Sequence, residues 1–297
     1  MDAGSWSIVT PMPTPRSQIV AAAASGRIYV AGGLFAEGIS DVLEYLDVAA
    51  GRWQRAFLPF PTHHIGMAAS DGFLYIAGGY RDFDYRADQR GFWRFDARQD
   101  IAWERLPDMP APRAAQAMVT VGARLYSIGG VGPDPTAIGV FDLATSRWIE
   151  DAPPLPAPRE HAAAAVLGDR IYVAGGRWNR ANLATLEVLD TGRRRWTRLR
   201  DMPNKRSDHA AAFIDGKLHV VGGDRLDGMH TVPGHDVYDP TTDSWAEAPA
   251  LPTPRHGLAG AVMSGRWYTI GGATGTMLKT LDTLTAIVEV FEPAPAR

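Results

Sequence analysis

The sequence predicts an all-β fold, a six-bladed β-propeller with four antiparallel strands per blade, and three observations predict it. A glycine doublet recurs six times, at Gly32-Gly33, Gly78-Gly79, Gly129-Gly130, Gly175-Gly176, Gly222-Gly223 and Gly271-Gly272, with spacings of 46, 51, 46, 47 and 49 residues. Each doublet ends a β-branched or aromatic run, as in RIYVAGG, FLYIAGG and RWYTIGG, which is strand chemistry running into a tight bend. Each repeat then continues through a run closing on an acid, followed in the first five by a segment opening on tryptophan. Four strands in a repeat of about 50 residues is the propeller signature.

The first strand of each unit is a small-residue run (IVAAAA, IGMAAS, QAMVTV, AAAAVL, AAAFID, LAGAVM). Sixteen residues before the first glycine of each doublet stands Arg16, Thr62, Arg113, Arg159, Arg206 or Arg255, with no gap in any copy, so first and second strands form a hairpin of fixed length. Three residues before each doublet is a ring: Tyr29, Tyr75, Tyr126, Tyr172, His219 or Tyr268. The third strand closes on Asp47, Asp96, Asp142, Asp190, Asp239 or Glu292, and the fourth opens on Trp53, Trp103, Trp148, Trp196 or Trp245. The sixth unit lacks its tryptophan strand, whereas an orphan Trp6 precedes the first. The segment SWSIV is therefore expected to complete the last blade and remove an open sheet edge, making residues 1–297 one domain.

The doublet with its spaced tyrosine and tryptophan resembles the kelch repeat, over almost the whole chain, and the six-bladed count resembles N-acetylneuraminate epimerase-like propellers. The Ala- and Arg-rich composition is of a bacterial kind. The resemblance implies a binding face made from the start of each first strand and the loop after each doublet. Carried over by position, the first set is Ser17-Gln18, His63-His64, Ala114-Ala115, Glu160-His161, Ser207-Asp208 and His256-Gly257. The second begins at Leu34, Tyr80-Arg81, Val131, Arg177-Trp178, Asp224-Arg225 and Ala273. Departures from the repeat are not required by the fold, so function is sought there. The ligand-binding candidates are His63, His64, Tyr80, Arg81, Arg159, Arg177, Trp178, Asp208, Asp224, Arg225 and His256. Blades two, four and five are polar, whereas blade three offers the apolar wall Ala114, Ala115 and Val131. The loop YRDFDYRADQRGF adds Phe83 and Tyr85 for stacking beside Arg81 and Arg86.

Charge and composition exclude several classes. A net charge of −3 with no basic block beyond Arg193-Arg194-Arg195 leaves no nucleic-acid footprint. The absence of cysteine removes disulfides, thiolate zinc sites, a cysteine nucleophile and the cysteine–tyrosine cofactor of copper radical oxidases, whose propellers are similar. Iron-binding kelch propellers use acids and a histidine at four-residue spacing; here Asp84 and Asp88 are followed by Phe92. No phosphate-binding or nucleophile-elbow motif occurs, so no metal or cofactor is assigned. No apolar stretch approaches a membrane span, and the first residues lack a signal-peptide pattern. A cytoplasmic monomer is expected, with a periplasmic or secreted location left open should a leader have been removed.

The expected function is a binding module whose mouth takes a small polar or anionic ligand or a peptide segment of a partner, with no nucleic acid and no membrane. The alternative, implied by the resemblance, is a sugar-acid epimerase in which Glu160 or His161 carries the proton and Arg177 clamps a carboxylate. Arg16, Arg113, Arg159, Arg206 and Arg255 with Arg81, Arg177 and Arg225 would make the mouth electropositive. Pairing of the ring arginines with Asp47, Asp96, Asp142, Asp190, Asp239 and Glu292 would cancel that field.

Overall fold

The structure, a computed structural model, describes residues 4–99 and 101–294. Six antiparallel sheets, each in the strand order first-second-third-fourth, are arranged as six blades. In blade one the order is Val20–Ala24, Arg27–Ala31, Val42–Asp47 and Arg52–Phe57. The first strands line a central channel, a cavity of about 440 Å³ bounded by Ala21, Ala22 and Ala23 and their equivalents from the other blades. Small side chains are required because six strands converge on one axis, whereas the second and third strands bury the bulky residues between blades. Tyr29, Tyr45 and Leu43 of blade one, for example, pack on Ile65, Leu74 and Phe95 of blade two.

The repeated residues hold neighbouring blades together. The second glycine of every doublet donates its N–H to the carbonyl of the residue at the arginine position in the next blade, from Gly33 to Thr62 at 2.9 Å round to Gly272 to Arg16 at 2.8 Å. That approach explains the doublet. Gly175 has φ +57°, and a Cβ on it would lie 2.7 Å from the carbonyl oxygen of Arg206; Gly176 has φ +91°. Each tryptophan of the fourth strands donates its indole N–H to a backbone carbonyl of the preceding blade, as Trp53 does to Thr10, Trp103 to Phe57 and Trp196 to Pro153.

Ring closure follows the sequence expectation. Ser5–Ile8 pairs with Val288–Glu292 in the register Trp6 opposite Phe291, and completes blade six. Trp6 continues the tryptophan pattern, donating to Pro249 at 2.8 Å, and packs against Trp267 and Phe291. Deletion of residues 1–9 removes that strand and its tryptophan. We expect a loss of about 3–5 kcal/mol, on the order of 10 °C in Tm, and association through the exposed edge. Calorimetry with size-exclusion chromatography checks this, and a monomeric truncation with native Tm contradicts it.

Candidate functional site

The floor of the mouth is a collar of six residues, one per blade: Gln18, His64, Ala115, His161, Asp208 and Gly257. All are left-handed, with φ of 57°, 54°, 54°, 53°, 55° and 61°. Their peptide groups form a closed ring. Gln18 N–H donates to Gly257 O, Gly257 to Asp208, Asp208 to His161, His161 to Ala115, Ala115 to His64, and His64 to Gln18, at 2.8–3.4 Å. Five of the six are not glycine, so the turn is imposed by its context rather than by residue preference.

The residue before each collar position pairs with the residue after the doublet, as the family positions imply. Glu160 bridges to Arg177, His63 to Tyr80, Ala114 to Val131, Ser17 to Leu34, His256 to Ala273 and Ser207 to Asp224. The two sets of positions thus meet blade by blade. Above the collar lies a cavity of about 430 Å³, into which His64, Arg177, Asp208, Asp224 and His256 all face.

The polar arc is densely coupled. Arg177 Nε donates to Glu160 Oε1 at 3.1 Å, its Nη2 lies 3.3 Å from His161 Nε2, and its Nη1 lies 3.5 Å from Asp208 Oδ2. Burial works to lower the Arg177 guanidinium, but Asp208, Glu160 and Asp224 outweigh it and push it up. Burial likewise works to raise Asp208, yet His161, His256 and Arg177 hold it well below the carboxylate range. Asp224 is pushed up by burial and by the neighbouring Asp208. Two carboxylates of the same small site are therefore driven apart in proton affinity.

Hydrogen bonds assign the imidazole tautomers. His63 Nε2 faces the carbonyl of Asp82 at 3.0 Å and must donate, which leaves its Nδ1 to accept from His64 Nδ1, 2.6 Å away. His64 then carries no proton on Nε2. Burial, with His161 and His63 nearby, holds its pKa well below the ordinary value. His256 Nε2 faces the carbonyl of Gly275 at 2.9 Å and donates; burial works to lower the pKa of this imidazole, but Asp208 and Asp224 outweigh it and push it up, and in the neutral form the lone pair sits on Nδ1.

Four of the five ring arginines are neutralised inside the blades. Arg16 pairs with Glu44 at 2.9 Å, Arg206 with Asp236 at 2.5 Å, Arg159 with Glu187 and Arg255 with Glu289, all buried. The acids are third-strand residues, but they stand three positions before those expected from sequence. The five expected aspartates cap the turn into the fourth strand instead, as Asp47 accepts from Ala50 N–H, Asp142 from Thr145 and Asp190 from Arg193, and Glu292 pairs with Arg266. An odd offset along a strand puts the two acids on opposite faces. In blade three Gly139 occupies the position of the acid, and Arg113 donates instead to the carbonyls of Gly129 and Asp134. Blade two replaces both members, with Thr62 and Trp93.

Arg159, taken from sequence as a ligand contact, is thus locked in a blade at 1% exposure. Arg81 turns away and stacks on Phe60, 3.8 Å from the ring centroid, and Arg225 pairs with Asp227 on the exposed rim. Trp178 forms a two-residue hairpin with Ala181, through Asn179 and Arg180 at φ 49° and 62°. Tyr80 is buried, and burial raises its hydroxyl to about 12.

The apolar wall does not come from blade three. Phe83 and Tyr85 of the blade-two loop and Met277, Leu278 and Leu281 of the blade-six loop border the mouth cavity. They are 51%, 49%, 56%, 97% and 41% exposed, which is unusual for side chains of this kind. The blade-six segment escaped the sequence reading; the only signal it offers is three apolar residues, Met277, Leu278 and Leu281, in a polar loop.

With this geometry in place, comparison with known families matches residues 132–287, over half the chain, to the KLHDC2/KLHL20/DRC7 Kelch-repeats domain, and residues 15–56 to the Kelch motif. The chain belongs to the kelch-repeat family. It is 26% identical over 314 residues to Kelch-like protein terF of Aspergillus terreus, an alignment taking in 99% of this chain and 56% of that protein. It is similar to Kelch-like protein 15 of Danio rerio, 27% identical over 213 residues, 64% of this chain and 35% of the relative. A shorter stretch of 89 residues, 30% of this chain, is 36% identical to an F-box/kelch-repeat protein of Arabidopsis thaliana, of which it covers 23%. The chain therefore spans about half the length, or less, of these curated relatives.

Two kelch positions depart from the repeat without serving the mouth. His219 replaces the repeated tyrosine and lies 2.9 Å from His235, a third-strand residue 1% exposed that donates to Pro249 O. Burial, with His235 beside it, lowers His219 to about 3; burial lowers His235 to about 4. Both folded values lie below the ordinary histidine value of about 6.5, so the unfolded chain takes up protons first, and stability falls as pH drops from roughly 6.5 toward 4. His219→Tyr with His235→Leu restores the repeat and is expected to flatten that decline. Urea midpoints at about pH 7 and pH 4.5 read it, and an equal decline in both proteins contradicts it.

Proposed function

We propose that this kelch propeller is a protein-interaction module that takes an extended segment of a partner across its mouth. One observation carries the reading: Phe83, Tyr85, Met277, Leu278 and Leu281 stand exposed around a polar floor. Exposed apolar side chains rimming a concave polar site fit the anchor-and-floor anatomy of peptide recognition. Tyr85 is held at φ 55°, and the Met277 turn begins at φ 56°, so each loop presents its anchors on a constrained backbone. The kelch-like relatives support the same class of function.

A small anionic ligand, or a sugar acid undergoing epimerisation, is the finer alternative, and both rest on Arg177. Glu160, His161 and Arg177 do come together, as that chemistry needs. Arg177 is already engaged by Glu160 and approached by Asp208, so an incoming carboxylate has to displace one of them. The peptide reading requires no such exchange and ranks first.

Selection of a random peptide library on the immobilised protein, followed by calorimetry, tests the reading. Recovered peptides are expected to carry apolar side chains and to lose binding by about tenfold, near 1.4 kcal/mol, in Leu278→Asp and in Tyr85→Ser. Peptides that bind both variants as tightly as the native protein would rule out the mouth as the docking face.

A further inference from the structure

We propose that His256 Nδ1 with Asp208 and Asp224 forms a site for one divalent first-row transition metal, joining blades five and six at the edge of the mouth. The donor atoms of the three residues lie within 4.8 Å of one another. His256 Nδ1 is 3.9 Å from Asp208 Oδ2 and 4.0 Å from Asp224 Oδ2. The three side chains are 4%, 6% and 2% exposed. Zinc bonds of about 2.0–2.2 Å place neighbouring donors roughly 3.4 Å apart, so a contraction of about half an ångström brings His256 Nδ1 to the spacing that a shared ion needs from each carboxylate.

An independent observation points the same way. His256 Nδ1 is buried and makes no hydrogen bond. Because Nε2 donates to Gly275 O, the neutral ring aims a lone pair between the two carboxylates, and a proton there would still lack an acceptor at hydrogen-bond distance. A backbone carbonyl holding the far nitrogen is the usual orienting contact of a metal-binding histidine. Asp224 is oriented in the same manner. Its Oδ1 accepts from Ser207 Oγ at 2.6 Å, Ser207 also accepts from Asn182, and Oδ2 is left toward His256.

Charge supports a dication. Glu160, Asp208 and Asp224 put three carboxyl groups around the single guanidinium of Arg177 in a largely buried cluster, an arrangement that attracts a further positive charge. Arg177 approaches Asp208 Oδ2, so an ion there draws this oxygen away from the guanidinium. One imidazole with two carboxylates suits zinc, manganese or ferrous iron rather than calcium or magnesium, which favour oxygen alone. The same three side chains border the mouth cavity, so the remaining coordination positions face it. The proposal does not depend on a peptide docking there.

The test uses the full chain, free of any tag and stripped with a chelator, titrated with Zn²⁺ and Mn²⁺ by calorimetry, with Co²⁺ absorption as a spectroscopic probe. One equivalent is expected to bind and to raise Tm, while millimolar Mg²⁺ or Ca²⁺ leaves Tm unchanged. His256→Ala and the nearly isosteric Asp224→Asn, each checked for native circular dichroism, are expected to weaken binding at least ~10-fold. His230→Ala, which removes an exposed histidine, is expected to bind as the native chain does. Absence of saturable binding overturns the proposal. So does either site variant binding as tightly as the native chain, or loss of binding in His230→Ala.

Discussion

The collar of left-handed residues is the constraint on which the rest of the molecule depends. Six inner strands reach the axis with unpaired peptide groups, and those groups must be satisfied where no further strand fits. Turning Gln18, His64, Ala115, His161, Asp208 and Gly257 into the left-handed region lets each donate to the carbonyl of a neighbouring blade and closes the ring. The same turn sets the preceding residue beside the one after the doublet. Glu160 is thereby delivered to Arg177, and Ser207 to Asp224. Mouth chemistry is thus a by-product of how the peptide groups at the axis are paired.

The arginine position serves the same closure from inside the blades. Arg16, Arg113 and Arg206 donate through Nη1, and Arg255 through Nε, to the first glycine carbonyl of their own blade, sixteen residues on, which accounts for the constant spacing. Arg16, Arg206 and Arg255, and with them Arg159, are each neutralised by a buried acid. Such a pair is costly to break one partner at a time, by about 3–5 kcal/mol, and can be lost without penalty when both go. Blade two, with Thr62 and Trp93, lacks both, and Thr62 uses its hydroxyl to donate to Tyr80 O instead. Because these charges cancel within the blades, the polarity of the mouth is set by Glu160, Arg177, Asp208, Asp224 and three histidines.

The repeat was legible because its signals are local: a doublet, a ring three residues earlier, a tryptophan after a turn. The closing strand at Trp6 was legible because one strand was missing at one end and surplus at the other. Charge partners were less so. Glu44 and Asp47 lie on the same strand, and only the pleat decides which meets Arg16 and which caps a turn. The collar left no trace at Gln18 or Ala115, whose residue types do not ask for a positive φ. Asp208, Asp224 and His256 were each readable as mouth residues, but their convergence was not, since two blades bring them together. Leu278 escaped notice because an exposed apolar side chain in a loop has no period.

Amide hydrogen exchange on the collar tests this account most directly. Gln18, His64 and Asp208 border cavities both above and below the ring, so water reaches the neighbourhood of these peptide groups. If the ring holds the blades together, the amides of Gln18, His64, Ala115, His161, Asp208 and Gly257 exchange only with global unfolding, at the slow end of the whole chain. Exchange at those six positions as fast as at Leu278 and Lys279 in the blade-six loop would contradict it.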